Sequence, residues 1–216
     1  MLRRKFICSA ATAAAGIAGM GTPAFAGNIN PAYQDADQLY LIGPVEGYSP
    51  QVGTLVSMLN YNRSTIIGVT KNLAVAELDY LHDPKANTIA GLLMHLAAVE
   101  KYYQVNSFEG RQEFNDKEKK IWDDGMNLGD AGRKNIKGRD LNHYLNILAE
   151  VRQHTLDELK KKDDKWLMEI DKVWSTDTEK INTYWKWFHV CEHESNHRGQ
   201  ISWLKSRLPG AKASAD

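Results

Sequence analysis

Trp185-Lys186-Trp187-Phe188-His189-Val190-Cys191-Glu192-His193-Glu194-Ser195-Asn196-His197-Arg198-Gly199-Gln200-Ile201, close to the C-terminus, reads at the helical period. That period sets His189, His193 and His197 four residues apart, together with Gln200, in the middle of an apolar stripe. Trp185, Val190, Ile201, Trp203, Leu204 and Leu208 define the stripe, so the spacing predicts inward-pointing histidines. Residues four apart on a helix are neighbours, with Cβ atoms about 5–6 Å apart, and two such imidazoles can share one metal ion. Satisfied core histidines, or chance spacing in a chain with seven histidines, account for the same pattern.

Working outward, three more amphipathic segments precede this one. From Val52 to about Leu81, Leu55, Val56, Leu59, Ile66, Thr70, Leu73 and Ala74 keep one face, and His82-Asp83-Pro84 ends the helix because proline disfavours the helical region before it. Asn87 or Thr88 caps a second helix running to about Ser107, with His95 central in a stripe of Gly91, Leu92, Ala98, Val99 and Tyr102. Residues 109–138 read as a long charged connection, with one short helix near Asp116 to Trp122. Asp140 caps a third helix reaching about Lys161, from whose stripe His143 and His154 fall away to the surface. The fourth helix runs from Ile181 or Asn182 to Arg207, with Ser175 to Thr178 offering further caps upstream, and Pro209-Gly210 stops it. Four amphipathic helices with no strand period predict an all-α four-helix bundle over residues 52–208, with a long connection between helices 2 and 3.

The ends read differently. Residues 1–26 look like a cleavable export signal: a basic start, an Ala/Gly-rich apolar stretch to Met20, and a small-x-small site at Ala24-Phe25-Ala26. Arg3-Arg4-Lys5-Phe6-Ile7 resembles the twin-arginine pattern, whose route carries folded proteins, although an ordinary secretory leader also begins with basic residues. The expected location is periplasmic or extracellular, with no stable membrane anchor after cleavage. Residues 27–51, with Gly43, Pro44, Gly47 and Pro50, read as an irregular arm, and 209–216 as a disordered tail. The 27 Lys+Arg balance 27 Asp+Glu, and removing Arg3, Arg4 and Lys5 with the leader leaves 24 against 27. No basic excess points to nucleic acid as a partner. Cys191 is the one cysteine outside the leader, about 200° around the helix from His189 and His193. It reads as a buried thiol facing away from the imidazoles.

The chain resembles the DinB/YfiT-like family of metal-dependent four-helix proteins. The resemblance rests on Thr88-Ile89-Ala90-Gly91-Leu92-Leu93-Met94-His95-Leu96-Ala97-Ala98-Val99-Glu100 and on His193-Glu194-Ser195-Asn196-His197-Arg198-Gly199-Gln200-Ile201. It implies a divalent metal, commonly zinc or nickel, held by His95, His193 and His197 with solvent completing the shell. It also implies a small-molecule substrate, since characterised members include transferases using low-molecular-weight thiols, and together with the six tryptophans it suggests a homodimer.

Three imidazoles leave an open metal position, as in catalytic sites, which supports metal-dependent hydrolysis or thiol transfer. The competing readings are a metal-binding protein without chemistry and a helical interaction module. His189, one turn before the pair, can be an extra ligand, but it is expected to be a supporting or pocket residue or an ordinary core histidine. Asn62 and Arg63 interrupt the first helix's stripe, where they can orient an anionic substrate; alternatively, Arg63 snorkels to solvent. Asn196 and Gln200 can hydrogen-bond a ligand imidazole or substrate. Glu192 and Glu194 flank His193 and read as exposed helix charges; neither stands out as a general base.

Overall fold

The computed structural model describes residues 38–212. The leader, the start of the arm and residues 213–216 of the tail lie outside the described residues. Among the described residues eight helices follow in order: α1 (Pro50–Thr70), α2 (Val75–Leu78), α3 (Ile89–Phe108), α4 (Asp116–Asn127), α5 (Gly129–Asn135), α6 (Leu141–Leu159), α7 (Asp164–Met168) and α8 (Thr183–Lys205). The described part of the arm, 38–49, is irregular, and α1 starts at Pro50, with proline at the first helical position where its missing N–H costs nothing.

Local chemistry sets the starts of the long helices. The Thr88 hydroxyl accepts from the Gly91 N–H, the Asp140 carboxylate from His143 N–H, and the Asn182 carbonyl from Trp185 N–H, so each cap satisfies an amide that the helix itself leaves free. Asn182, rather than the upstream Ser175 to Thr178, starts α8. The expectation of one first helix to Leu81 is corrected: α1 stops at Thr70, and Asn72 adopts the left-handed region at φ 65°. Asparagine tolerates that turn, which lets buried Leu73 and Leu78 fold back onto the core. The connection between α3 and α6 also holds more helix than expected. Asn115 and Glu118 form a reciprocal capping box for α4, which continues to Asn127 before α5.

The four long helices close a ring in which α1 packs on α8 and α6, and α3 on α8 and α6. One apolar cluster holds Ile66, Leu92, Leu93, Leu96, Leu148 and Ile201. A second holds Leu55, Leu59, Val99, Leu156, Trp187 and Val190. Between them on every long helix stands one buried charge: Arg63 on α1, Glu100 on α3, Arg152 on α6 and Glu194 on α8. Arg63 bonds Glu100 at 2.7 Å and Glu194 at 2.5 Å, and Arg152 bonds the same glutamates at 2.7 and 3.0 Å. The guanidinium groups also donate to the Leu148 and Leu59 carbonyls, and Thr155 donates to Glu100. Burial opposes the charge on Glu100, yet Arg152 and Arg63 hold its carboxyl well below the usual range.

The buried face of α8 differs from the predicted stripe. Lys186, Trp187, Val190, Cys191, Glu194, His197, Ile201 and Leu204 point inward, whereas Trp185 is 43% and Trp203 47% exposed. These eight buried positions of α8 include two charged residues: Arg63 and Arg152 on other helices neutralise Glu194, and Asp171 in the loop before α8 neutralises Lys186. Lys186 is paired with Asp171 and Asn106 and lies 4.4 Å from the Trp174 ring centre. His197 thus lies on the buried face, whereas His193 and His189 stand at its edge.

Candidate metal centre

His95 from α3 and His193 and His197 from α8 form a group whose potential ligand atoms all lie within 4.8 Å of one another. The Nε2 atoms of His95 and His193 are 3.2 Å apart, and those of His193 and His197 are 3.0 Å apart. Tetrahedral zinc with bonds of about 2.0–2.1 Å sets its nitrogen ligands ~3.3 Å apart, so the spacing is close to what one ion requires.

Two contacts orient the rings. His95 Nδ1 lies 2.8 Å from the Gly125 carbonyl, and His197 Nδ1 lies 3.1 Å from Gln200 Oε1. Both partners accept, so each Nδ1 carries a hydrogen, and the Nε2 of each neutral ring presents a lone pair. His193 Nε2 has at most one hydrogen for two such acceptors. At least one lone pair therefore faces the centre without a donor, and a cation completes that arrangement.

Gly125 is needed where it stands. A Cβ there would come within 2.9 Å of Met94 Cγ and 3.1 Å of the Met94 carbonyl, so only glycine lets α4 approach α3 closely enough to offer its carbonyl to His95. Burial and neighbouring imidazoles push His193 down to about 3 and His197 down to about 4, and burial lowers His95 against the opposing Gly125 and Met126 backbone groups. All three rings are thus neutral near pH 7, the protonation state in which they ligate.

The other predicted residues separate. His189 stands beside the group rather than in it, half-exposed, its ring stacked on Trp185 at 5.5 Å and 5.9 Å from His193. Gln200 acts on the site through His197, and exposed Asn196 lines a cavity one turn away. Arg63 is corrected: it neither snorkels nor faces a substrate, because it is fully buried in the ion-pair layer. Asn62 is half-buried beside Cys191. Glu192 is exposed as expected, but Glu194 is buried at 1% and belongs to the layer with Arg63 and Arg152. Cys191 is a buried thiol pushed up to about 12 by burial and then Glu194, which makes it a poor nucleophile. From sequence Glu100, about 140° around the helix from His95, reads only as a poor metal ligand, and the burial of Glu100, Arg152 and Lys186 was missed. Their signal is charge four residues from apolar positions of the same helix: Glu100 after Leu96, Arg152 after Leu148 and Lys186 before Val190.

This fold and site define a DinB/YfiT-like helical protein. The family model of the mycothiol-S-transferases matches residues 54–210, and the chain belongs to that family. DinB-like family members bind a divalent metal, and the three-histidine group is present in this chain. A search of curated proteins finds no match.

Proposed function

We propose that the chain is a metal-dependent thiol transferase, which joins a low-molecular-weight thiol to an electrophilic small molecule. The convergence of three neutral imidazoles on one point, with a lone pair that no donor among the described residues satisfies, carries this reading. His95, His193 and His197 would hold zinc or nickel, and the family's name supports a thiol as the donor. When bound, such an ion supplies Lewis acidity and makes a thiol more acidic near neutral pH. The Gly125 carbonyl and Gln200 keep the His95 and His197 lone pairs aimed at the centre, and burial keeps the rings unprotonated.

Metal-dependent hydrolysis is the second reading. The export-like leader favours it, since a protein outside the cytoplasm meets little reduced thiol and hydrolysis needs only water. Twin-arginine export of the folded, metal-loaded chain belongs to the same proposal.

The test begins with elemental analysis of the chain purified without chelator or affinity-tag histidines, beside His193→Ala. About one equivalent of divalent metal in the parent and almost none in the variant is expected. Consumption of an electrophile only when thiol is added supports transfer; thiol-independent ester cleavage supports hydrolysis. A parent that also refuses added zinc and nickel overturns both readings.

A further inference from the structure

One helical turn beyond the triad, between α3 and α8, lies a cavity of about 440 Å³ whose walls include Asn87, Leu92, Asn196, Gly199, Gln200 and Trp203. The spacing ties it to the metal centre on both helices. Leu92 precedes His95 by one turn, and Asn196 follows His193 by one turn. Gln200 belongs to both regions, since it accepts from His197 Nδ1 and also lines the cavity. The volume lies in the range of about 300–1,000 Å³ that takes small organic ligands.

The wall chemistry sets the class of ligand. Three carboxamides supply neutral donors and acceptors, while Leu92, Leu204 and the half-exposed Trp203 supply apolar surface. None of the wall residues ionises, so a charged ligand would shed water there without gaining an opposite charge from the wall. His82 meets the Trp203 ring at 4.9 Å and the Arg207 guanidinium lies 5.3 Å from its centre, which braces the indole from outside the wall.

We propose that this cavity seats the electrophilic partner of the transfer, and that it selects an uncharged molecule with a flat apolar body and a hydrogen-bonding oxygen or nitrogen. Trp203 takes the apolar body over a floor of buried Leu92 and Leu204, and the carboxamides take the polar atom. The assignment rests on the thiol-transfer reading. In that reaction the sulfur electron pair forms the new S–C bond, the thiol proton passes to solvent, and the leaving group departs with the electron pair of the bond that breaks.

Gly199 provides a clean test. A Cβ built there meets no atom within 4 Å, so Gly199→Leu extends into open space beside the cavity, and leucine is the better helix former. The zinc-loaded chain is titrated with N-phenyl-1-naphthylamine, which is neutral, and with its anionic relative 8-anilinonaphthalene-1-sulfonate. The neutral probe is expected to bind more tightly than the sulfonate, and Gly199→Leu is expected to weaken it at least about tenfold with metal content unchanged. Trp203→Ala weakens the same probe independently. Equal or tighter binding of the sulfonate overturns the charge selectivity, and indifference of a metal-loaded Gly199→Leu chain overturns the cavity. A chain that binds the probe but takes up no metal overturns the transfer reading instead, so the two failures are distinct.

Discussion

Two polar clusters share α3 and α8 and have opposite designs. Glu100 lies five residues after His95 on α3, and Glu194 follows His193 directly on α8. The charged cluster is sealed: two arginines meet two glutamates from four helices, all at 2% exposure or less. The histidine cluster is half-open and made of like groups, three neutral acceptors of which two are pinned from behind. Charges matched inside the chain fix how helices register against one another. Converging lone pairs that a single His193 hydrogen cannot all satisfy mark a place where something else binds. A one-residue step along α8, about 100° around the helix, separates the two roles.

The largest test of this contrast removes one charge. Arg152→Ala leaves Glu100 and Glu194 short of a partner in the sealed layer and is expected to cost about 3–5 kcal/mol of folding stability. Urea denaturation reads it, and a loss below about 1 kcal/mol would show that the layer is not the structural clamp inferred here.

Gln200→Leu probes the open cluster. It removes the acceptor behind His197 without touching the core and is expected to lower zinc affinity about 10–100-fold, with little change in the stability of the metal-free chain. Competition with a chromophoric chelator measures the first quantity and urea the second; a stability loss without an affinity loss would place Gln200 in the scaffold.

The smallest effect is a difference in pH windows. Folded His193 and His197 sit below their ordinary 6.5, so the unfolded chain binds their protons first. The metal-free protein therefore loses stability as pH falls from about 6.5 through about 4 for His197 and towards about 3 for His193, and regains it as pH rises through that window. Glu100 is also depressed, below its ordinary 4.5, so its contribution is full above that pH and is lost only as pH falls further. In chelator, His193→Ala is expected to flatten the upper limb and leave the lower one. Identical urea midpoints for parent and variant at pH 7.5 and 5 would remove the triad from the acid response.

Much of the scaffold was legible residue by residue. Thr88 and Asp140 cap helices where a short polar side chain precedes an apolar period, because capping needs only atoms within three residues. His193 and His197 were legible for the same reason, being neighbours on one helix. The α1 break was not, because an asparagine in a helical pattern becomes a left-handed turn only when Leu73 and Leu78 gain core contacts by it. Trp185 and Trp203 misled the reading of α8, since large apolar residues at the helical period are also accommodated outward beside a site.

The helical periods, the long-helix caps at Thr88, Asp140 and Asn182 and the His193–His197 pair could be read from the chain alone, since all depend on contacts within a few residues. Tertiary structure alone decided that His95, 98 residues from His193, brings its Nε2 within 3.2 Å, and that Gly125 turns a carbonyl onto its other nitrogen. It also decided that Arg63 and Glu194 are structural. A charge at an inward position is ambiguous until its partner on another helix is known, and only simultaneous packing of four helices supplies that partner.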